Sequence, residues 1–125
     1  MLRTLRRAAL PAIIASLVVA PLAWALHTAL TKALPAIDGT VAVAPTELTL
    51  WFNERPDVSL SNIRLQSPDS TVTIPLAGTK AGPDSLSLTA QVRGPMTPGK
   101  YTVLYRTAGN DGHVMRGKYQ FTFQP

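Results

Sequence analysis

Two alternating runs near the C-terminal end, joined by Gly109-Asn110-Asp111-Gly112-His113, commit this chain to a β-hairpin. Tyr101-Thr102-Val103-Leu104-Tyr105-Arg106 precedes the joint and Lys118-Tyr119-Gln120-Phe121-Thr122-Phe123 follows it. Both runs are rich in the β-branched and aromatic residues that fit a pleated, half-buried surface. Asp-Gly supplies the turn, because Gly takes positive φ freely and Asp bonds its own backbone. Residues two apart on an extended backbone point to the same side. Asp111 and His113 are therefore placed to offer one oxygen and one nitrogen to a single metal ion. The competing reading of the same residues is a plain β-turn followed by a solvated histidine.

The rest of the chain between Thr28 and the hairpin also reads as strands and turns, with no helical period. A first strand is expected over Thr28 to Leu34, ending at Pro35 and an Ile37-Asp38-Gly39 turn. In Glu47-Leu48-Thr49-Leu50-Trp51-Phe52 the residues Leu48, Leu50 and Phe52 face one way and Glu47, Thr49 and Trp51 the other. Asn53-Glu54-Arg55-Pro56-Asp57 breaks that strand. Asn62 to Ser67 and Thr71 to Ile74 pair across Pro68-Asp69-Ser70, and Leu86, Leu88, Ala90 and Val92 alternate after a loop. Seven to eight short strands with turn signals between them predict an all-β sandwich or Greek-key barrel. Trp51, Phe52, Tyr101, Tyr105, Phe121 and Phe123 are the candidates for its core or core edge.

Charge and cysteine content narrow the chemistry. The chain of 125 residues has a net charge of +5, but Arg3, Arg6 and Arg7 precede an uncharged apolar run, Ala8 to Leu26. Residues 26–125 hold nine Lys/Arg against seven Asp/Glu, a net charge of +2 with no basic stripe, so no nucleic-acid partner is expected. The basic residues, apolar run and Ala23-Trp24-Ala25 have the anatomy of a secretory signal peptide over residues 1–25. An uncleaved membrane anchor is the alternative, since the apolar run approaches the ~20 residues that span a bilayer. The mature domain is then residues 26–125. With no Cys there is neither a disulfide nor a thiolate site, and the only histidines are His27 and His113.

Several blocks, taken together, resemble the copper-resistance protein C (CopC) family of periplasmic copper-binding proteins. They are His27-x-x-Leu30, Pro35-Ala36-x-x-Gly39, Ala44-Pro45, and Leu48-x-Leu50-x-Phe52-Asn53-Glu54. Pro98-Gly99-x-Tyr101-x-Val103-x-Tyr105-Arg106, Asp111-Gly112-His113 and Gly117-x-Tyr119-x-Phe121-x-Phe123 complete the pattern. The resemblance implies an immunoglobulin-like β-barrel in the periplasm, and Cu(II) bound by an N-terminal histidine and the Asp-x-His pair. Carried onto this chain, the implied ligands are His27, Asp111 and His113, with Glu54 where some members place a further carboxylate. It also implies a role in copper resistance and homeostasis, with a membrane copper transporter of the CopD type as partner.

Coordination chemistry points the same way. Two imidazoles, a carboxylate and a terminal amine form a nitrogen-rich tetragonal set that suits Cu(II), with Zn(II) the runner-up. The chain departs from the family in two respects. Cleavage after Ala25 leaves Leu26 ahead of His27, so either Leu26 is trimmed, or the amine joins a Leu26-His27 chelate, or His27 binds by its ring alone. A methionine-rich Cu(I) loop is also missing, and Met96 and Met115 are read as packing residues. A non-enzymatic copper carrier is the reading preferred. A histidine-brace oxygenase recruiting Trp51 and Tyr105, and a metal-free adhesion or structural domain, are the alternatives.

Overall fold

The computed structural model describes residues 28–125, and the expected leader and His27 lie outside them. The strands run β1 (Leu30–Leu34), β2 (Thr40–Val41), β3 (Glu47–Phe52), β4 (Asn62–Gln66), β5 (Thr73–Ile74), β6 (Lys80–Ala81), β7 (Ser87–Gln91), β8 (Gly99–Ala108) and β9 (Val114–Phe123). They form a four-stranded sheet in the order β1-β3-β7-β6 and a five-stranded sheet in the order β2-β9-β8-β4-β5. Every pairing is antiparallel except that of β2 with β9. The sheets do not close on one another, so the expected sandwich, rather than a barrel, is the architecture.

The period-two pattern decides what lies between the sheets. Leu48, Leu50 and Phe52 of β3 and Leu88 and Ala90 of β7 meet Ile63, Leu65, Tyr101, Val103, Tyr119, Phe121 and Phe123 of the opposite sheet. Burying one such side chain fully contributes roughly 1.5–3 kcal/mol. Tyr101 stacks on Phe121 with ring centroids 5.7 Å apart. Its hydroxyl donates to the Thr97 carbonyl at 2.7 Å and accepts from the Thr97 N–H at 2.9 Å, which removes the penalty of burying it.

Three expectations need correction. Trp51 is not in the core: it faces out from β3, with Lys32 over its ring at 4.4 Å and Nε1–H donating to Asp84 Oδ2 at 2.9 Å. Its amphipathic ring suits a half-wet face as well as a dry one. Leu86 is exposed, because β7 begins only at Ser87. The hairpin strands are longer than expected, reaching Gly99–Ala108 and Val114–Phe123, while β2 and β6 are two residues each and too short to show a period. Elsewhere the turns fall where expected: Asp38 has φ 56° and Ser70 φ 60°, the left-handed region that Asp tolerates more than most residues.

The absence of a basic stripe also fails in three dimensions, since pairing of β4, β8 and β9 gathers cations on one face (below). The carboxylates instead cap turns. The Ser67 and Thr71 side chains and the Thr71 N–H hold Asp69 down to about 2. Hydrogen bonds from Ser59 lower Asp57, and the Leu86 N–H, followed by Trp51, lowers Asp84. A carboxylate depressed in the folded state stabilises it above the unfolded value of about 3.9, and that stability goes as pH falls through the folded value. The melting temperature should therefore change little from pH 7 to about 4 and fall between about 4 and about 2. A melting temperature unchanged over the acid interval would show that these bonds form equally in the unfolded chain.

Candidate metal centre

One end of the sandwich brings together three segments remote in sequence. The arm after β3 holds two of them by backbone and side-chain bonds. Asn53 N–H donates to the Ala29 carbonyl at 3.0 Å, and Ala29 N–H donates to Asn53 Oδ1 at 2.8 Å. Further along, Asp57 N–H donates to the Ala108 carbonyl at 2.8 Å, at the last residue of β8. The segment that follows His27 and the turn after Ala108 are thus pinned to one short stretch of chain.

Glu54 and Gly109 complete the clasp. The Thr28 hydroxyl donates to Glu54 Oε1 at 2.5 Å. A Cβ added at Gly109 would collide with that same oxygen and with Thr28 Oγ1. Only a residue without a side chain lets the carboxylate lie across the base of the turn. Thr28 is buried, so the backbone immediately after His27 is fixed beside this turn. Thr28, Asn53 and Gly109 were not legible as site residues, because their role is to join segments rather than to bear chemistry. The one hint was a second glycine two residues before Asp111.

The turn itself is an irregular loop, Gly109–His113, between β8 and β9. Gly112 N–H donates to the Gly109 carbonyl at 3.0 Å, and Gly112 takes φ 75°. Asp111 and His113 do meet, but not by extended alternation. Asp111 Oδ1 accepts from the His113 backbone N–H at 3.0 Å, and Oδ2 lies 2.8 Å from His113 Nδ1. The bond from the His113 side chain is the main reason the Asp111 carboxyl lies below its ordinary range.

An ionised carboxylate only accepts, so Nδ1 carries the proton of this contact, and in the neutral ring the lone pair then lies on Nε2. A carboxylate that fixes one imidazole nitrogen and leaves the other for a metal is the usual support of a ligating histidine. Both side chains are open to solvent, His113 at 75% and Asp111 at 49%. Each Asp111 oxygen keeps a further lone pair. Among the described residues no group of three His, Asp or Glu side chains converges. Glu54 reaches the same end but bonds Thr28 rather than the Asp111–His113 pair, and the expected third ligand, His27, lies outside the described residues.

Two antiparallel-rich sheets face to face, with an Asp111–His113 contact on the exposed turn at one end, define a small β-sandwich domain. The chain belongs to the CopC domain family, whose pattern matches residues 30–124. Solved structures agree. PcoC, a methionine-rich copper resistance protein from Escherichia coli, superposes with a TM-score of 0.70 at 28% identity, covering 78% of this chain and 99% of that one. CopC from Methylosinus trichosporium OB3b gives 0.68 at 29% identity, covering 79% and 95%. The N-terminal part of the bacterial S-layer protein SbsC gives 0.62 at 14% identity, covering 82% and 24%, a likeness of fold alone. No curated protein matches the chain by sequence.

Unlike a methionine-rich protein, this chain holds three methionines, one of them Met1. Met96 packs against the core as expected, and Met115 is half-buried on β9 opposite Thr107.

Proposed function

We propose that this protein is a periplasmic carrier that sequesters or delivers Cu(II) in copper resistance, with His27 and His113 as ligands and Asp111, expected as a third, instead supporting the His113 ring through Nδ1. The observation that carries the reading is the Asp111–His113 contact, which engages Nδ1 and leaves Nε2 of the neutral ring, exposed and unprotonated, to ligate a metal. The clasp of Thr28, Glu54 and Gly109 supports it, since it holds the chain next to His27 at the base of the same turn. Membership of the CopC family, and likeness at 28% identity to PcoC, a copper resistance protein, support copper as the cargo.

The oxygenase alternative draws no support from the structure. An oxygenase would recruit Trp51 and Tyr105, yet Trp51 is engaged by Asp84 and Lys32, and Tyr105 packs edge-on to Phe52 at 5.6 Å. A membrane copper transporter of the CopD type is the partner this role calls for. Secretion by cleavage after Ala25 belongs to the same proposal. The intact mass of the secreted protein decides whether the amine belongs to Leu26 or to His27.

Titration of the purified protein should show one tight Cu(II) per chain and no Cu(I) site of comparable strength. Affinity should fall from neutral to mildly acidic pH, because protons compete with the metal for the imidazoles. Two tight copper sites, or an affinity flat from neutral to mildly acidic pH, would refute the ligand set.

A further inference from the structure

The outer face of the five-stranded sheet gathers cations that are scattered in the sequence. In register, Arg106 of β8 stands opposite both Asn62 of β4 and Arg116 of β9. One row along, Leu104 stands opposite Arg64 and Lys118. All four cations are exposed, and Leu104 is half-buried between them. Strands β4, β8 and β9 contain no Asp or Glu, although the chain has seven, and among the described residues no Lys or Arg forms an ion pair.

Like charges directly opposite one another on antiparallel strands oppose folding. Arg106 against Arg116 is such a pair, and among the described residues no carboxylate pairs with either. The three arginines border an open depression of about 430 Å³ that Tyr105 and Gly117 also line. Guanidinium forks match carboxylates in two-pronged geometry. Two strand spacings across and one alternation along, the cluster spans roughly 10 by 7 Å, wider than one small anion. Carboxylates two residues apart on an extended segment match its rows, and half-buried Leu104 suits an apolar side chain between them.

We propose that this face docks an acidic segment of a partner protein, with Arg64, Arg106 and Arg116 pairing its carboxylates and Lys118 at the rim. The inference needs no metal and stands apart from the copper role.

The test uses the secreted protein in metal-free buffer and a short fluorescent peptide alternating glutamate and serine, read by anisotropy. Binding should weaken with added salt. R106E/R116E should lower affinity about tenfold or more, while K80E/R93E, the same charge change placed elsewhere, should leave it within about twofold. R106E alone sets an opposite charge against Arg116, so it should melt no lower than the parent and still bind several-fold more weakly. That single variant decides the matter if the double variant unfolds. Equal losses in R106E/R116E and K80E/R93E would overturn the proposal, as net charge alone would then explain binding. Inorganic phosphate displacing the peptide at equal concentration would reassign the face to small anions. Phosphatidylglycerol vesicles that bind more tightly than the peptide, and lose binding in R106E, would reassign it to a membrane surface.

Discussion

Replacing His113 with alanine should weaken Cu(II) binding at least about 100-fold and leave the melting temperature within about 4 °C of the parent. The two effects separate because of where the side chain sits. The imidazole is 75% exposed on an irregular turn and contributes nothing to the core, so its loss leaves no cavity. Losing merely the partner of a ligating histidine typically costs 10–100-fold in metal affinity, and losing the ligand itself costs more. Asp111→Asn provides the internal comparison, since an amide oxygen still accepts from Nδ1–H but the negative charge is gone. It should lower affinity by about 10–100-fold. Calorimetric or competition titration of the parent and both variants checks the pair. A His113→Ala protein that binds Cu(II) within about threefold of the parent would leave Asp111–His113 as a turn-stabilising contact only.

Phe52→Ala should destabilise the domain by about 3–5 kcal/mol and lower its melting temperature by roughly 15–30 °C. The ring is 1% exposed, lies between the two sheets, and meets Tyr105 edge-on at 5.6 Å. Removing it leaves a void that strands held by two ladders cannot close, so lost transfer energy and lost contacts add. Typical domains are stable by 5–15 kcal/mol, so this change takes a large share of the total. Trp51→Ala is the matched control one residue away. Its larger ring faces outward and gives up a partly solvated stack with Lys32 and one bond to Asp84, so the loss should be smaller. Thermal unfolding followed by circular dichroism compares the two. If Trp51→Ala costs more than Phe52→Ala, the inward face of β3 has been assigned wrongly.

The contrast between Phe52 and Trp51 marks what is legible in one dimension. Alternation assigns Leu48, Leu50 and Phe52 to one face and Thr49 and Trp51 to the other, and the core contains the first set. Amino-acid type alone, which put Trp51 among the core or core-edge candidates and left out Tyr119, misplaces the first and misses the second. Short strands such as Thr40–Val41 and Lys80–Ala81 have too few residues to alternate, and appear only through their partners. At the candidate site Asp111 and His113 are neighbours in sequence, so local turn chemistry suffices to find them. Thr28, Glu54 and Gly109 meet across more than 20 residues of chain in each case, and only packing shows that Glu54 needs Gly109 bare.

Charge shows the same division most sharply. Composition determined that residues 26–125 are nearly balanced, at +2, and that no linear run of cations exists. Hairpin chemistry at Asp111-Gly112, period-two hydrophobicity and the absence of cysteine likewise determined an all-β domain with no thiolate metal site. The tertiary structure alone decided that Arg64, Arg106, Arg116 and Lys118 share a face, while Asp57, Asp69 and Asp84 sit in turns away from it. The reason is register. A side chain's face follows from its own position in a strand, but its neighbours on that face are set by which strands pair and how far each has slipped.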